Sequence, residues 1–295
     1  MTAVKGTRSP ETTVAAAPRS TGQLRVVGQR PPFGQYLAEV WRRRAFIWGL
    51  ATAQLRAGNG RDKLGNLWLV LTPVLNGAVY YLIFGVLLNT SHGIPNFVGY
   101  LIVGVFLFSY TSRSVTVGAR AIAGNRKLVQ TLAFPRAVLP LSEVVQQVIS
   151  LGASLVAMMA FVLVAPPLEH LTWHWLLIIP ALVLQTLFNA GLVLLFARLV
   201  AGMSDVGNML QFGLRGWLYM SGVFYAPTRF DHHPLLHTIF ELNPAYAYLA
   251  LVRDLMLYNR MPPGHIWAVA GGWAVATAAV GMYLFWRAEE KYARD

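Results

Sequence analysis

Cysteine is absent from this 295-residue chain, and charged residues are scarce. The missing thiols exclude disulfide bridges, thiolate metal sites and a cysteine nucleophile. Asp, Glu, Lys and Arg make up only 12% of the residues, against about 25% in a typical soluble domain, while hydrophobic residues make up 56%. This composition is typical of an integral membrane protein rather than of a soluble globular one.

Motifs for nucleotide binding and for catalysis are also missing. The dipeptide Gly-Lys never occurs, so no G-x-x-x-x-G-K-[ST] loop exists to bind ATP phosphates. The 12 Asp and Glu residues form no paired-carboxylate motif of a glycosyltransferase or phosphatase. Asp231, His232, His233 and His237 cluster in a proline-containing loop, where solvated or capping roles are expected. We therefore expect no catalytic residue, no metal site and no cofactor in this chain.

Six apolar segments are long enough to cross a bilayer, because a helical span needs about 20 mostly apolar residues. None shows the alternating pattern of a half-buried β-strand. The sequence therefore predicts an all-α integral membrane fold with six transmembrane helices. The predicted spans are 67–88, 97–118, 138–164, 174–198, 208–227 and 265–286.

The distribution of positive charge predicts the orientation. Nineteen of the 24 Lys and Arg residues fall on one side of the predicted membrane, and none falls in loops 89–96 or 166–173. Cytoplasmic loops carry the excess of Lys and Arg, so we expect a multi-pass membrane protein with both termini cytoplasmic. Because the cations flank apolar runs, the net charge of +12 indicates topology and not nucleic-acid binding.

The segment before the first span reads as an amphipathic helix in the cytoplasmic interface. Trp41 and Trp48 belong to its apolar stripe, and Arg42, Arg43 and Arg44 are available to anionic headgroups. A soluble helix packed on protein is the alternative. The polar residues ahead of this helix predict a disordered cytoplasmic tail. The chain thus divides into a tail, an interface-helix region and a six-span domain: residues 1–32, 33–60 and 61–290.

A basic, amphipathic stretch, NRKLVQTLAFPRAVLPLSE (125–143), separates the second and third spans. Positive-inside charge explains its cations, but a loop that faces only water has no use for its apolar stripe. Because the chain lacks an ATP-binding loop, this surface is a candidate docking helix for a separate motor protein. The residues of this candidate docking helix are Asn125, Arg126, Lys127, Leu128, Leu132, Phe134, Pro135 and Arg136.

The long outer segment 228–264 carries an apolar stripe that prolines interrupt. It is too broken to span, and we expect short helices that dip partly into the membrane. Such backbone is tolerated at depth only where protein or a water-filled cavity covers it.

Arg215 is the unusual cation, because it lies about 10 Å or more inside the fifth predicted span at 1.5 Å per residue. A charge there is costly unless it is paired or faces water. Gln211 shares its helix face. Arg215 either attracts an anionic substrate group in a conduit or forms a structural pair with Glu143 or helix carbonyls. Arg113 lies nearer the cytoplasmic edge, where its side chain can snorkel.

Aromatic residues are abundant in the predicted spans. They serve either as core and interfacial belt or as stacking surfaces along which a polysaccharide slides without a deep binding minimum. The candidates for a substrate path, besides Arg215 and Gln211, are Tyr80, Tyr81, Phe84, Phe108, Tyr110, Trp217 and Tyr219.

The order of these parts resembles one family of membrane proteins. The stretch RDKLGNLWLVLTPVLN (61–76) is similar to the opening of the first span in ABC-2 type permeases that export cell-surface polysaccharides such as O-antigen, teichoic acid and galactan. The Phe-Pro-Arg stretch resembles their loop between spans two and three, and SGVFYAP (221–227) and LNPAYAYLALVRDLML (242–257) resemble the end of span five and the following segment. MSDVGN (203–208) resembles the turn before span five, but Ser204 stands where Arg is usual.

The resemblance implies a homodimer that works with two copies of a cytoplasmic P-loop ATPase, which holds ATP and Mg. It implies a transmembrane channel for a polysaccharide on a polyprenyl diphosphate or related carrier lipid. The docking helix would be the coupling helix, and the interface helix would flank the cytoplasmic mouth of the channel. An outer gate would be formed by Asn243, Pro244, Tyr246 and Arg253.

Three other functions are compatible with parts of the pattern. An ABC-2 exporter of a drug or other small amphiphile shares the six-span plan. A polyprenyl-linked membrane enzyme requires acids or metal ligands at a membrane face, which the sequence lacks. A secondary transporter normally places acids at membrane depth, and only Glu143 comes close.

Overall fold

The computed structural model describes residues 31–59, 67–87, 94, 96–125, 128, 134–164, 172–225 and 233–289. All regular structure in these ranges is helical, which confirms the all-α prediction. The predicted tail lies outside the described residues except for its last two positions. The helices are α1 (Phe33–Arg42), α2 (Arg44–Asn59), α3 (Leu67–Tyr81), α4 (Phe97–Ala119), α5 (Ala121–Gly124), α6 (Val138–Val164), α7 (Ile178–Gly202), α8 (Asp205–Met220), α9 (Pro234–Glu241), α10 (Pro244–Met256) and α11 (Gly264–Arg287).

Four of the predicted spans coincide with helices that are long and apolar enough to cross a membrane. They contain α4, α6, α7 with the 3-10 turn that precedes it, and α11. The agreement follows from the continuous apolar runs, which leave no polar face to distinguish one side of these helices from another. The four helical stretches are Phe97–Ala119, Val138–Leu163, Trp173–Gly202 and Gly264–Arg287.

The other two predicted spans, 67–88 and 208–227, coincide with shorter α-helices. A π-helical segment (Leu82–Leu87) continues α3 to residue 87. α8 ends at Met220, just before Gly222 adopts a positive φ of 64°. Glycine enters this left-handed conformation without steric cost, so the chain leaves the helix earlier than its hydropathy predicts. The count of six spans therefore stays a prediction.

α4 lies at the centre of the bundle and packs against α3, α6, α7, α8 and α10. Among the described helices, α7 and α11 have the most extensive contact, and their backbones approach closely at Gly191 and Gly281. A Cβ atom on Gly191 would overlap the backbone of Thr277, and one on Gly281 would overlap the carbonyl of Gly191. Small residues allow this backbone approach in apolar helix pairs.

The interface-helix region consists of two helices, α1 and α2, rather than one. Tyr36, Val40 and Ile47 are buried against the start of α6 and the ends of α7 and α11. Trp41 and Trp48 remain exposed, at 70% and 58% of their surface. One face therefore packs on protein, as the alternative interpretation proposed, while the tryptophans are available to lipid.

Candidate functional site

On the side of the bundle that is predicted to be cytoplasmic, several described residues meet at the carboxylate of Glu289, just beyond α11. The hydroxyl of Tyr36 on α1 donates a hydrogen bond to Glu289 Oε2 at 2.8 Å, and the backbone N–H of Arg136 donates to Oε1 at 2.9 Å. The Arg136 guanidinium donates to the Glu289 carbonyl at 2.7 Å, and Nη1 lies 3.7 Å from Oε1. The N–H of Ala137 donates to the Tyr36 hydroxyl at 3.3 Å. We call Tyr36, Arg136, Ala137 and Glu289 the cytoplasmic cluster.

Burial dominates the electrostatics of this cluster. It raises the pKa of the Glu289 carboxyl above its ordinary value, because the charged form loses hydration. The Arg136 N–H, the Tyr36 hydroxyl and the Arg136 charge oppose this pKa shift, and the nearby Glu39 reinforces it. The cluster therefore ties the end of the candidate docking segment to the first and last described helices through one carboxyl group.

A second contact on the same side joins Pro31 and Phe33 to Trp286. The indole N–H of Trp286 donates to the carbonyl of Pro31 at 2.9 Å, and the Phe33 ring meets the Trp286 ring edge-on at 5.4 Å between centroids. α1 is consequently attached to α11 by aromatic packing as well as by the cytoplasmic cluster.

Within the candidate docking segment, 125–136, the structure describes Asn125, Leu128 and residues 134–136. At one end, the Asn125 side chain donates to the Ala121 carbonyl at 2.8 Å. At the other, the ring of Phe134 lies 5.8 Å from that of Phe46 on α2, and Pro135 is buried. Leu128 packs against Ala121 and Leu139. Arg126, Lys127 and Leu132 lie outside the described residues, so docking by this segment stays a prediction.

Phe134 thus packs within this chain. The sequence pattern alone could not distinguish such packing from exposure to a partner protein. α2 is further fixed by a hydrogen bond of 2.7 Å from Gln54 Nε2 to Glu143 Oε1 on α6. The segment therefore rests on α2, and α2 rests on α6. The three arginines at the junction of α1 and α2 are exposed or half-buried, and Arg44 lies 5.7 Å from the centre of the Trp41 ring; they are Arg42, Arg43 and Arg44.

The predicted outer gate corresponds to α9 and α10 and their connections. Asn243 caps α10 by accepting from Ala245 N, and it also accepts from the Trp217 indole at 2.9 Å and donates to the Met220 carbonyl at 3.0 Å. Pro244 occupies the first turn of α10. These contacts fasten the start of α10 to the end of α8.

The other two predicted gate residues also pack inside the chain. The Tyr246 ring lies 4.8 Å from that of Phe240, and Arg253 is 2% exposed. The Arg253 guanidinium donates to the carbonyls of Tyr100, Gly222 and Val223. Arg253 therefore clamps the turn after α8 onto α4. A gating role for these residues stays a prediction.

The candidate path residues fall into two groups. Phe108 and Tyr110 are buried, the half-buried Trp217 meets Phe108 edge-on at 5.7 Å, and the Tyr110 hydroxyl pairs with that of Thr186. These three contribute to the core. Arg215 and Tyr219 are exposed, and Gln211 is half-buried. Tyr80, Tyr81 and Phe84 belong to α3 and its π-helical continuation, and their side chains lie outside the described part of the structure.

Arg215 does not pair with Glu143, whose carboxylate accepts from Gln54 instead. The Arg215 guanidinium lies 5.8 Å from the centre of the Phe212 ring, and Arg215 forms no ion pair within the described ranges. Sequence reasoning missed Glu289 and set Arg113 aside. No local signal identified Glu289, because its partners lie 153 and 253 positions away in the chain.

Replacing Glu289 tests the cytoplasmic cluster. We expect Glu289→Ala to lower the free energy of unfolding by about 2 kcal/mol or more, because the Arg136 N–H and the Tyr36 hydroxyl lose their acceptor. Thermal unfolding of the purified protein in detergent measures this loss. The matched control is Thr52→Ala, whose hydroxyl bonds only to carbonyls of its own helix. Equal unfolding temperatures for the two variants would contradict the role of Glu289.

The pH dependence gives an independent readout of Glu289. Because its pKa is raised in the folded state, the stability linked to its titration is complete below the unfolded pKa and is lost as pH rises through the folded pKa. The unfolding temperature of the wild type, relative to Glu289→Gln, should therefore fall as the pH rises from about 4 toward neutrality. If the difference in unfolding temperature between wild type and Glu289→Gln stays constant across this range, burial does not raise the pKa of Glu289.

Comparison with known proteins adds sequence-level findings. Residues 47–257 match the model of a family described as "ABC-2 type transporter". The O-antigen export system permease protein RfbA of Myxococcus xanthus is 28% identical over 254 residues, covering 85% of this chain and 92% of that protein. A protein of the same name from Klebsiella pneumoniae is 25% identical over 235 residues, covering 78% of this chain and 86% of that protein.

Proposed function

Because the chain belongs to the ABC-2 type transporter family, we propose that it is the membrane-spanning subunit of an ATP-driven exporter for a lipid-linked cell-envelope polysaccharide. The observation that carries this proposal is the similarity to two O-antigen export permeases over 85% and 78% of the chain. The four long apolar helices support a membrane path, and the absence of a P-loop motif from the sequence supports a separate ATPase subunit.

The assembly we propose is a homodimer in the bacterial plasma membrane with two copies of a P-loop ATPase on the cytoplasmic side. ATP and Mg belong to that partner. The cargo is a glycan of O-antigen, teichoic acid or galactan type on a polyprenyl diphosphate or related carrier. Both termini lie in the cytoplasm, and the channel forms between the two copies of this chain.

The contacts of the docking segment give a mechanical account of coupling. A displacement of residues 125–136 reaches α2 through Phe134 and Phe46, and it reaches α1 and α11 through Arg136 and Glu289. Hydrogen bonds and ring contacts of this kind resist separation, so these helices respond to the ATPase as one body. When α2 moves, the Gln54–Glu143 hydrogen bond transmits the movement to α6. Helices that pack on α4 then transmit it to α9 and α10 in the outer segment.

Depletion of the chain in its host bacterium tests the function. We expect surface polysaccharide to fall while carrier-linked polymer accumulates in the cytoplasmic leaflet, and the wild-type gene should reverse both changes. Normal surface glycan combined with new drug sensitivity would overturn the proposal in favour of a small-amphiphile exporter. ATP-dependent export by the purified chain without any ATPase would overturn the separate-motor assignment.

The ring pair of Phe134 and Phe46 yields a coupling prediction. We expect Phe134→Ala and Phe46→Ala each to raise the ATP hydrolysed per polymer exported, since either change frees the segment from α2. The measurement uses the reconstituted complex, with ATP hydrolysis and polymer export followed in the same vesicles. Trp48→Ala is the control because Trp48 lies on the same helix with its ring 58% exposed. An unchanged ratio in both phenylalanine variants would exclude force transfer through this contact.

A further inference from the structure

A cavity of about 230 Å³ lies between α4 and α8. Helical spacing places Phe108, Ser109, Ser112 and Arg113 on one face of α4, and Arg215 reaches the same cavity from α8. The polar side chains on its wall all carry hydrogen-bond donors. The apolar part of the wall consists of Val105, Phe108, Leu214 and Leu218.

The charge of this cavity is unbalanced. Two guanidinium groups line it and no carboxylate does. Within the described ranges, Ser109, Ser112 and Arg113 have no side-chain hydrogen bond or ion pair, and Glu143 is engaged by Gln54. Two neighbouring cations without a counter-charge repel each other, so the wall is complementary to an anion.

The depth of the two arginines makes this imbalance costly. Arg113 lies six residues before the end of α4, and Arg215 lies ten residues after the start of α8. At about 1.5 Å per residue they are roughly 9 Å and 15 Å from the helix ends on the same side of the bundle. Cations at membrane depth mark substrate or ion pathways when they lack a protein partner.

Water alone has little room behind Arg113. Ser109 and Arg113 also line a second cavity, of about 20 Å³, with Gln147, Ser150 and Ser154 on the α6 side. That volume holds about one water molecule. The larger cavity is more than ten times as spacious and is the one that both arginines share.

We propose that this cavity, hereafter the two-arginine cavity, binds the phosphate groups of the carrier lipid while the glycan is moved. The proposal rests on the proposed export function. Guanidinium forks bind phosphate oxygens in a bidentate manner, and two forks match the charge of a diphosphate. The serine hydroxyls supply further donors, and the apolar wall lies beside the lipid portion. The exposed side of Arg215 leaves the cavity open, so the headgroup can leave it again.

The chemistry shared by a carrier lipid and a membrane phospholipid is the phosphate group, so the test must separate them. The probe is farnesyl diphosphate, added to the full complex with its ATPase in nanodiscs of neutral lipid. We expect Arg113→Gln and Arg215→Gln each to weaken binding by about 10-fold, and Ser112→Ala to weaken it less. Farnesol, which lacks phosphate, should bind weakly to all forms.

Arg120→Gln is the matched control. Arg120 lies at the cytoplasmic end of α4 and also reaches α8, through a 3.2 Å hydrogen bond to Asn208 Oδ1, but it does not line the cavity. Farnesyl diphosphate binding should be unchanged in this variant. Arg113→Lys keeps the charge, and we expect intermediate affinity because the fork geometry is lost. Size-exclusion profiles and unfolding temperatures identify the variants that fold.

Three results overturn the proposal. Equal affinity in wild type and both glutamine variants removes the two-arginine cavity as the site. If Arg120→Gln loses as much affinity for farnesyl diphosphate as Arg113→Gln and Arg215→Gln, the effect is a general one of charge. Competition by phosphatidylglycerol at equal concentration assigns the cavity to a phospholipid headgroup. Failure of the export proposal is distinguishable, because surface glycan would then be normal after depletion whatever the affinity for farnesyl diphosphate.

Discussion

Arg253→Met is expected to prevent the accumulation of folded protein. Arg253 is almost fully buried, and its guanidinium donates to the carbonyls of Tyr100, Gly222 and Val223 at 2.9 to 3.3 Å. Methionine fills a similar volume but donates to none of them. The Val223 carbonyl then loses its donor, and the carbonyls of Tyr100 and Gly222 lose their hydrogen bonds from the guanidinium. A hydrogen bond to a charged group contributes about 1.5–3 kcal/mol, so we expect a loss of at least about 3 kcal/mol in the free energy of unfolding.

The Tyr100 ring adds to this effect, since it lies 3.3 Å from the guanidinium carbon and its hydroxyl donates to the carbonyls of Gly222 and Tyr225. Lysine at position 253 keeps the charge but cannot bridge three acceptors in a plane. The measurement is the yield of monodisperse protein and its unfolding temperature in detergent.

Arg260→Met is the control for Arg253. Arg260 pairs with Asp254 at 2.8 Å, but its side chain is 64% exposed. Solvent screening limits such a pair to about 0–1 kcal/mol. Comparable destabilisation by the two substitutions would mean that charge, and not the buried hydrogen bonds, accounts for the effect at position 253.

Gly191→Leu is expected to separate α7 from α11 and to abolish folding. Even the Cβ atom of alanine at this position would overlap the backbone of Thr277, and the reverse contact occurs at Gly281. Backbone cannot move aside as a side chain can, so the whole helix must shift. Overpacking typically costs about 1–3 kcal/mol, and we expect Gly191→Ala to reach the upper end of that range. Unfolding temperatures of the two variants measure the cost.

Gly272→Ala on α11 is the matched control, because a Cβ there meets no atom within 4 Å. Alanine favours the helix over glycine by about 1 kcal/mol. Gly191→Ala should therefore lower the free energy of unfolding, whereas Gly272→Ala should raise it. Destabilisation by Gly272→Ala as large as that by Gly191→Ala would show that the close approach of α7 and α11 does not explain the effect.

Local patterns predicted the long helices well, and they did so for a physical reason. Apolar length and turn residues act over a few positions, so α4, α6 and α11 end within a few residues of the predicted bounds. The early end of α8 was missed because the conformation of Gly222 depends on its contact with Arg253, 31 positions later.

The candidate site was predictable only in part. Docking by the Phe-Pro-Arg stretch stays a prediction, and its partner Glu289 lies 153 positions from Arg136, beyond the reach of any local pattern. The aromatic candidates Phe108, Tyr110 and Trp217 show why composition is insufficient, since a ring in the core and a ring along a path look alike in a sequence. Arg113 gained significance only when α4 and α8 placed it beside Arg215.

The cytoplasmic cluster also constrains when the protein becomes functional during synthesis. Glu289 is the acceptor that orients Arg136, yet it is made more than 150 residues later. The candidate docking segment therefore leaves the ribosome long before its hydrogen bonds to Glu289 can form. Contacts of such long sequence separation form late in folding. The hydrogen bonds that hold Arg136 therefore form only after α11 and Glu289 have been synthesised.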